Sequence, residues 1–368
     1  MMAKRKLMFF QPFIGPYRVD FTNDLSDAFD ARIYLKLPNS ESEAFHQKDI
    51  ARHLRYTPIQ LPTRSKTALL RYLRNEIKHF QPDIVITFEY DLITLFILVY
   101  RWLTRGNFRV VGMSDDSYDM LTGNAFTWRH DVARRLLAKY LDEIILVEPK
   151  AVDWYRQRHG KGFFFPIIRD EKVVRQMYGD AIPLIEETRE SYHLSGQFIF
   201  LFVGRLASVK NLSTLIEAYS GLDVTKDKLV IVGDGPEKEP LQRQSKDLGL
   251  DVLFVGRQDG QDLHVWYQLA NTFVLPSIRE PFGAVTNEAL IGGCCAIVSE
   301  RAGSKCLIDE GKNGFIFDPT SVEDLRAKLS LSKGLPQTVS DGHYLRESKM
   351  TLQYGQLFQG LCDMLYSI

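Results

Sequence analysis

Short apolar runs and longer amphipathic stretches take turns along this chain, and that alternation narrows the fold more than any other feature. In the first half, 7–11, 32–37, 83–88, 108–112, 143–147 and 162–166 read as buried strands of β-branched and aromatic character. Between them, 66–80, 92–104, 127–140 and 150–159 carry apolar residues at three- and four-residue spacing over helical lengths. From 171 to 196 the apolar density falls and charges cluster, which predicts a linker. The alternation then restarts, with strands at 198–204, 229–233, 252–256, 272–275, 296–299 and 314–317. Helices at 211–219, 236–248, 261–269, 284–291 and 322–329 fill its gaps. A helix between successive strands means a parallel sheet covered on both faces. The expected architecture is therefore α/β: two doubly wound parallel-sheet domains in series, 1–170 and 197–343. A final helical stretch, 344–368, follows a loop at 334–342 and is expected to pack back on the first domain. The length of 368 residues agrees, being about twice what one hydrophobic core serves.

Lys plus Arg equals Asp plus Glu at 46 each, so the whole molecule has no field that calls for a nucleic-acid partner. The halves differ. Residues 1–170 hold 26 basic and 20 acidic side chains, a charge of +6, and the remainder carries −6. The surplus gathers in Arg52, Arg55, Arg64, Lys66, Arg71, Arg74 and Lys78, and again in Arg129, Arg134, Arg135 and Lys139. Two readings stand: solvated helix faces, or peripheral contact with an anionic membrane, where each nearby cation contributes ~1 kcal/mol. No span is expected, because the longest mostly apolar run, 92–100, falls well short of the ~20 residues a bilayer needs. The apolar stretch 7–10 is too short for a signal peptide. Cys294, Cys295, Cys306 and Cys362 form neither a disulfide framework nor a metal-binding spacing, and read as reduced, buried thiols of a cytoplasmic protein.

In open α/β sheets ligands sit beyond the carboxyl ends of the strands, so the chemistry is sought there. After 198–203 come Gly204, Arg205, Leu206 and Lys210: either a solvated turn or two cations for a diphosphate, arginine as a fork and lysine as a point charge. Gly233-Asp234-Gly235-Pro236 is either a plain tight turn or a place where a nucleotide approaches the backbone. It has neither the dinucleotide nor the P-loop spacing. The run from Pro276 to Ala289 is the most informative. A helix starting near Phe282 or Gly283 would aim free N–H groups at an anion, with Glu280 and Glu288 flanking it to accept hydroxyls; the plainer reading is a helix start with a favourable acid.

The ordered series Gly204-Arg205-Leu206, Lys210-Asn211, Gly233-Asp234-Gly235-Pro236, Phe254-Val255-Gly256, Tyr267, Pro276-Ser277 and Glu280-x7-Glu288 resembles the sugar-nucleotide-binding domain of retaining GT-B glycosyltransferases, the family 4 or "group 1" enzymes. The resemblance covers about 198–330 and is much weaker before 198. It implies a GT-B fold, two Rossmann-like domains facing across a cleft. It implies that Arg205 and Lys210 neutralise the donor diphosphate, and that Glu280 meets the donor sugar's hydroxyls. Backbone N–H groups at Phe282, Gly283 and Ala284 would hold sugar and phosphate, Glu288 the ribose, and the stretch Gly256, Arg257 and Gln258 would lie by the base. It further implies retention of anomeric configuration without a metal or other cofactor.

The first domain would take the acceptor, a glycan or a lipid-linked glycan, and there the sequence departs from the family. The first loop has one glycine, Gly15, where many members have a pair, and Gly15 is placed to approach the donor phosphate. Asp115 or Asp116 stands where a histidine is usual, and Glu89 follows another strand end; each reads equally as a helix cap or a solvated loop acid. His130 falls on a helix face and is not assigned to catalysis. The leading expectation is a hexosyltransferase of surface-polysaccharide biosynthesis. A noncatalytic nucleotide-sugar-binding protein and an epimerase on the same scaffold are the alternatives.

Overall fold

The computed structural model describes residues 3–36, 47–62, 65–123, 126–337 and 343–368; Leu37, Arg64 and positions 338–342 of the expected loop lie outside them. Its contacts divide the chain into two units, 1–167 with 355–368, and 168–354.

In the first unit the strands are β1 (Lys6–Gln11), β2 (Asp30–Leu35), β3 (Ile59–Gln60), β4 (Ile84–Phe88), β5 (Arg109–Ser114), β6 (Glu143–Leu146) and β7 (Phe163–Phe164). They form one sheet in the order β3-β2-β1-β4-β5-β6-β7, and every pair is parallel. The register is in step across the centre: Phe9 lies opposite Ile33 on one side and Ile86 on the other. The helices are α1 (Val19–Ala28), α2 (Gln47–His53), α3 (Lys66–Phe80), α4 (Leu92–Thr104), α5 (Tyr118–Thr122), α6 (Trp128–Leu137) and α7 (Pro149–His159). Apolar stripes of α3, α4, α6 and α7 close on one face of the sheet in a single core that includes Met8, Phe10, Val85, Ile97, Val110 and Tyr155. The starts of α3 and α4 are set by caps, Ser65 accepting from the Ala68 N–H and Asp91 from those of Ile93 and Thr94.

The second unit opens with α8 (Glu171–Ala181) and α9 (Ile185–Ser191), so the stretch expected as a linker is helical. Its sparse apolar residues fall on one face: Val174, Tyr178, Ala181 and Ile185 are buried. The strands follow as β8 (Phe198–Val203), β9 (Asp227–Val232), β10 (Val252–Gly256), β11 (Thr272–Leu275), β12 (Cys295–Ser299) and β13 (Gly314–Phe317). Their order, all parallel, is β10-β9-β8-β11-β12-β13. The helices are α10 (Leu212–Ser220), α11 (Lys238–Asp247), α12 (Gly260–Leu269), α13 (Val285–Ile291) and α14 (Val322–Ser332). In each sheet the chain reverses its direction of travel beside the first strand, at β1/β4 and β8/β11, the position where such folds bind ligands. Cys294, Cys295 and Cys362 are buried as expected of thiols, while Cys306 is half-buried.

The chain's last stretch is helical only from Tyr354, as α15 (Tyr354–Ser367), which from Gly355 on belongs to the first unit. There Tyr366 stacks on Phe29 at 5.1 Å, and Arg5 donates to Leu365 O at 2.8 Å. Residues 343–353 stay with the second unit, anchored by Arg346, which is 1% exposed. Its guanidinium donates to Ala270 O (2.7 Å), Tyr267 O (2.8 Å) and Gly292 O (2.6 and 2.9 Å). These carbonyls end α12 and α13, so one buried cation satisfies two helix C-termini and their dipoles. Arg346→Ala takes the guanidinium from Gly292 O and leaves Tyr267 O and Ala270 O with the weak Cys294 thiol, so it should destabilise the second unit by about 3 kcal/mol in urea unfolding, and Arg346→Lys, lacking the planar fork, should recover little of it.

Candidate functional site

Because β8, β9, β10 and β11 run the same way, their outgoing loops share one sheet edge. The loops are laced together by backbone. Gly204 N–H donates to Val232 O at 3.0 Å, Leu206 N–H to Asp234 O at 2.9 Å, and Glu237 N–H to Leu206 O at 3.0 Å. Gly235 is required here, since at φ +156° an added Cβ would lie 2.3 Å from Leu206 O. Across the switch point, Ile278 N–H donates to Val209 O at 3.0 Å, fixing the loop after β11 to the turn that carries Lys210.

That lacing brings two of the expected site residues into contact. Lys210 Nζ forms an ion pair with Glu280 Oε2, and Ser277 Oγ donates to the same oxygen at 3.3 Å. Both side chains are largely buried, at 22% and 13% exposure, so the pair is held more firmly than a surface bridge. Arg205 is exposed and forms no ion pair among the described residues. Past Glu280 the chain is clamped by Gly303 N–H on Glu280 O (3.3 Å) and Ser304 N–H on Phe282 O (2.8 Å), with the Phe282 ring buried. Among the described residues nothing accepts from the N–H groups of Phe282, Gly283 or Ala284.

The helix expected from Phe282 or Gly283 begins at Val285 instead, because Gly283 takes φ +92° and cannot join it. Glu288 therefore sits in the first turn of α13. Its carboxylate accepts from the buried Tyr267 hydroxyl at 3.0 Å, and its carbonyl from Tyr178 at 2.8 Å. After β10, Gln258 is half-buried and Arg257 is exposed, its Nε 3.0 Å from Asp259. This edge thus gathers Lys210, the N–H groups of 282–284 and two anchored carboxylates: donors for an anion beside acceptors for hydroxyls.

The first unit has its own cluster at the carboxyl edge of its sheet. Glu89, just past β4, is in the left-handed region at φ +68°, held by its N–H on Met113 O (2.9 Å). Its carboxylate lies 3.2 Å from His130 Nε2, and the His130 ring stacks on Phe126 at 4.4 Å. Asp115, past β5, pairs with the buried Arg18. Asp116 is 3% exposed, and its Oδ2 has no partner among the described residues. Burial lifts the carboxyls of Glu89 and Asp116 above the ordinary range, and the charge of Asp116 adds to the effect on Glu89. Gly15 lies in the loop after β1 at φ −85°, a conformation open to any residue, with the Tyr17 ring over it.

Sequence reasoning set His130 aside, yet it joins this cluster. Its placement three residues after the cap Thr127, in the first turn of α6, is the signal that puts it near the sheet edge. The same reasoning missed Arg18 and took Arg134 for a surface cation. Arg134 is 3% exposed, bonded to Asp131 at 2.7 Å and flanked by the rings of Phe126 and Trp154 at 5.5 and 5.1 Å.

Residues 185–333 match the family model described as glycosyl transferases group 1. A sulfoquinovosyl transferase of Arabidopsis thaliana is 33% identical over 134 residues, covering 36% of this chain and 26% of that protein. A GDP-mannose-dependent alpha-mannosyltransferase of Corynebacterium glutamicum is 39% identical over 132 residues, 35% of this chain and 30% of that one. The matched segment thus spans a third or less of these two relatives. Among solved structures, that of Anabaena HepE in complex with UDP superposes with a TM-score of 0.75 over 99% of this chain and 100% of the other, at 17% identity. That likeness identifies the fold as GT-B.

The raised Asp116 carboxyl gives a signed expectation. The folded protein keeps this proton to higher pH than the unfolded chain does, so the associated stability is present below the usual carboxylate range and is lost as pH rises through the raised value. Asp116→Asn should therefore raise the thermal midpoint at pH 8, and the gain should shrink steadily as the pH is lowered toward 4. A midpoint difference that does not vary with pH would refute the buried-charge assignment.

Proposed function

We propose that this protein, whose residues 185–333 match the family model of the group 1 glycosyl transferases, moves a hexose from a nucleotide-diphosphate sugar to a glycan or lipid-linked acceptor, with retention of configuration, in building a surface polysaccharide. The observation that carries the reading is the Lys210–Glu280 pair, set beside unclaimed N–H groups at the switch point of the second sheet. A structure of HepE with UDP and glucose, and a relative named as GDP-mannose-dependent, support a nucleotide sugar as the donor.

In this reading the donor's C1–O bond breaks and its electron pair passes to the departing diphosphate oxygen. The acceptor hydroxyl oxygen forms the new bond to C1, and its proton goes to that same diphosphate oxygen. Lys210, Arg205 and the N–H groups of Phe282, Gly283 and Ala284 face the growing negative charge, and we read the reaction as needing no metal. Removal of one such preorganised donor costs about 3 kcal/mol of transition-state stabilisation. Glu280 accepts from a sugar hydroxyl while Ser277 and Lys210 hold it in place, and Glu288, oriented by Tyr267, accepts from the ribose. On the acceptor side, Glu89 and Asp116 are the carboxylates offered to a sugar hydroxyl.

With a panel of nucleotide sugars, the protein should release free nucleoside diphosphate from one donor by slow hydrolysis. Lys210→Ala and Glu280→Gln should each lower that release by about 10²- to 10³-fold at a temperature where both variants remain folded, and each should also lower the thermal midpoint, because the partner charge is left unpaired at a largely buried site. The matching nucleoside diphosphate, at 100 times its dissociation constant, should stabilise the wild type by about 2.7 kcal/mol. Unaltered turnover in both variants would remove these residues from the mechanism. Stabilisation without release from any donor would indicate a binding protein instead.

A further inference from the structure

Of the large apolar side chains exposed among the described residues, nine of sixteen lie on α4 and on α6 with its extension to Tyr140. Helix α4 is apolar on both sides. Ile93, Ile97 and Leu98 face the core, while Leu92, Leu95, Val99 and Trp102 make a second stripe at helical spacing that faces outward, with Trp102 77% exposed. A helix apolar all round is ordinarily buried. Helix α6 repeats the arrangement with Trp128, Val132, Leu136 and Tyr140, Trp128 being 71% exposed. The two elements adjoin, because Arg101 of α4 donates to Tyr140 O at 2.7 Å and pairs with Asp142.

The charge on this surface has one sign. Residues 92–109 contain no acid, and 126–140 contain one, Asp131, which Arg134 engages. Arg105, Arg129, Arg135 and Lys139 are exposed around the stripes. From this juxtaposition we infer that the outer face of α4 and α6 docks on an anionic lipid bilayer, with the two tryptophans seated at the headgroup level and the cations against lipid phosphates. A second copy of the chain would set like charges against each other, which is costly. At 13 residues α4 lies on the surface, and no helix among the described residues is long and apolar enough to cross a membrane.

The face also carries a functional geometry. Glu89 and His130 stand at the amino-terminal ends of these two helices, so the candidate acceptor cluster borders the docking face, as a lipid-linked acceptor requires. The docking itself uses no residue of the second unit and does not rest on the transferase reading.

The test is sedimentation of the full chain with phosphatidylcholine vesicles, with and without phosphatidylglycerol, at low and high salt, beside donor hydrolysis measured without vesicles. Binding is expected only to the anionic vesicles and should weaken about tenfold or more at high salt. Trp102→Ser with Trp128→Ser, and separately Arg135→Glu with Lys139→Glu, should each reduce binding about tenfold or more. The vesicle-free hydrolysis rate and thermal midpoint should not change, since these side chains are exposed. Failure to bind anionic vesicles would overturn the inference while leaving the hydrolysis result intact. Equal binding by both double variants would overturn it too, as would a dimer of the wild type that Trp102→Ser with Trp128→Ser abolishes.

Discussion

Six parallel strands that end at one edge place the loops after β8, β9, β10 and β11 side by side, and the chemistry of the second unit follows from how those loops are tied. Each tie is backbone to backbone: Leu206 to Asp234 and Glu237, Val209 to Ile278, Gly303 to Glu280. A site held by main chain rather than by long side chains surrenders little further entropy when a ligand arrives. It is in that frame that Lys210 and Glu280 can stand in contact on two different loops. Without the close approach that Gly235 permits, the turn after β9 would be pushed off Leu206 and the first loop would lose its support.

Arg346 supports the same edge from behind. By satisfying the ends of α12 and α13 it fixes the helix that carries Glu288 and the helix that carries Tyr267, the two partners of one hydrogen bond. Glu288 is thus oriented from its carboxylate by Tyr267 and from its carbonyl by Tyr178 of α8. A stretch that looked like a linker is part of the scaffold of the candidate site.

Much of the architecture was legible because buried parallel strands are continuous apolar runs. Three expected strands, 252–256, 272–275 and 314–317, coincide with the observed ones, as do the helices 66–80 and 92–104. Strand β3 has only two residues and no pattern to detect, and α1, with its run of Asp, Asn, Ser and Thr, has little helical propensity of its own. On the second unit spacing located the strand ends that carry Lys210 and Glu280, and the resemblance supplied their expected roles, but the helix start was misplaced because Gly283 turns left-handed before α13. The first-unit cluster was only half legible. Its acids follow strand ends, which sequence can locate, but Arg18, His130 and Arg134 come from elsewhere in the chain, and only packing reveals that they turn inward.

That inward turn says something about what the first unit is for. Asp115 is balanced by Arg18 at a buried site, while Arg134 keeps two N–H groups without partners, and Asp116 one oxygen, among the described residues. Glu89 adds a strained left-handed backbone at the same edge. Each of these features lowers stability, and apolar replacements of similar volume would ordinarily be neutral or better. The rings of Phe126 and Trp154 beside Arg134 recover part of the loss, yet a core that served packing alone would have no need of the arrangement. Departures from local physical rules occur elsewhere in the unit too, as at Tyr56, Gln81, Arg105 and His159, but at this edge charged groups gather, which supports the role proposed for Glu89 and Asp116 toward a ligand.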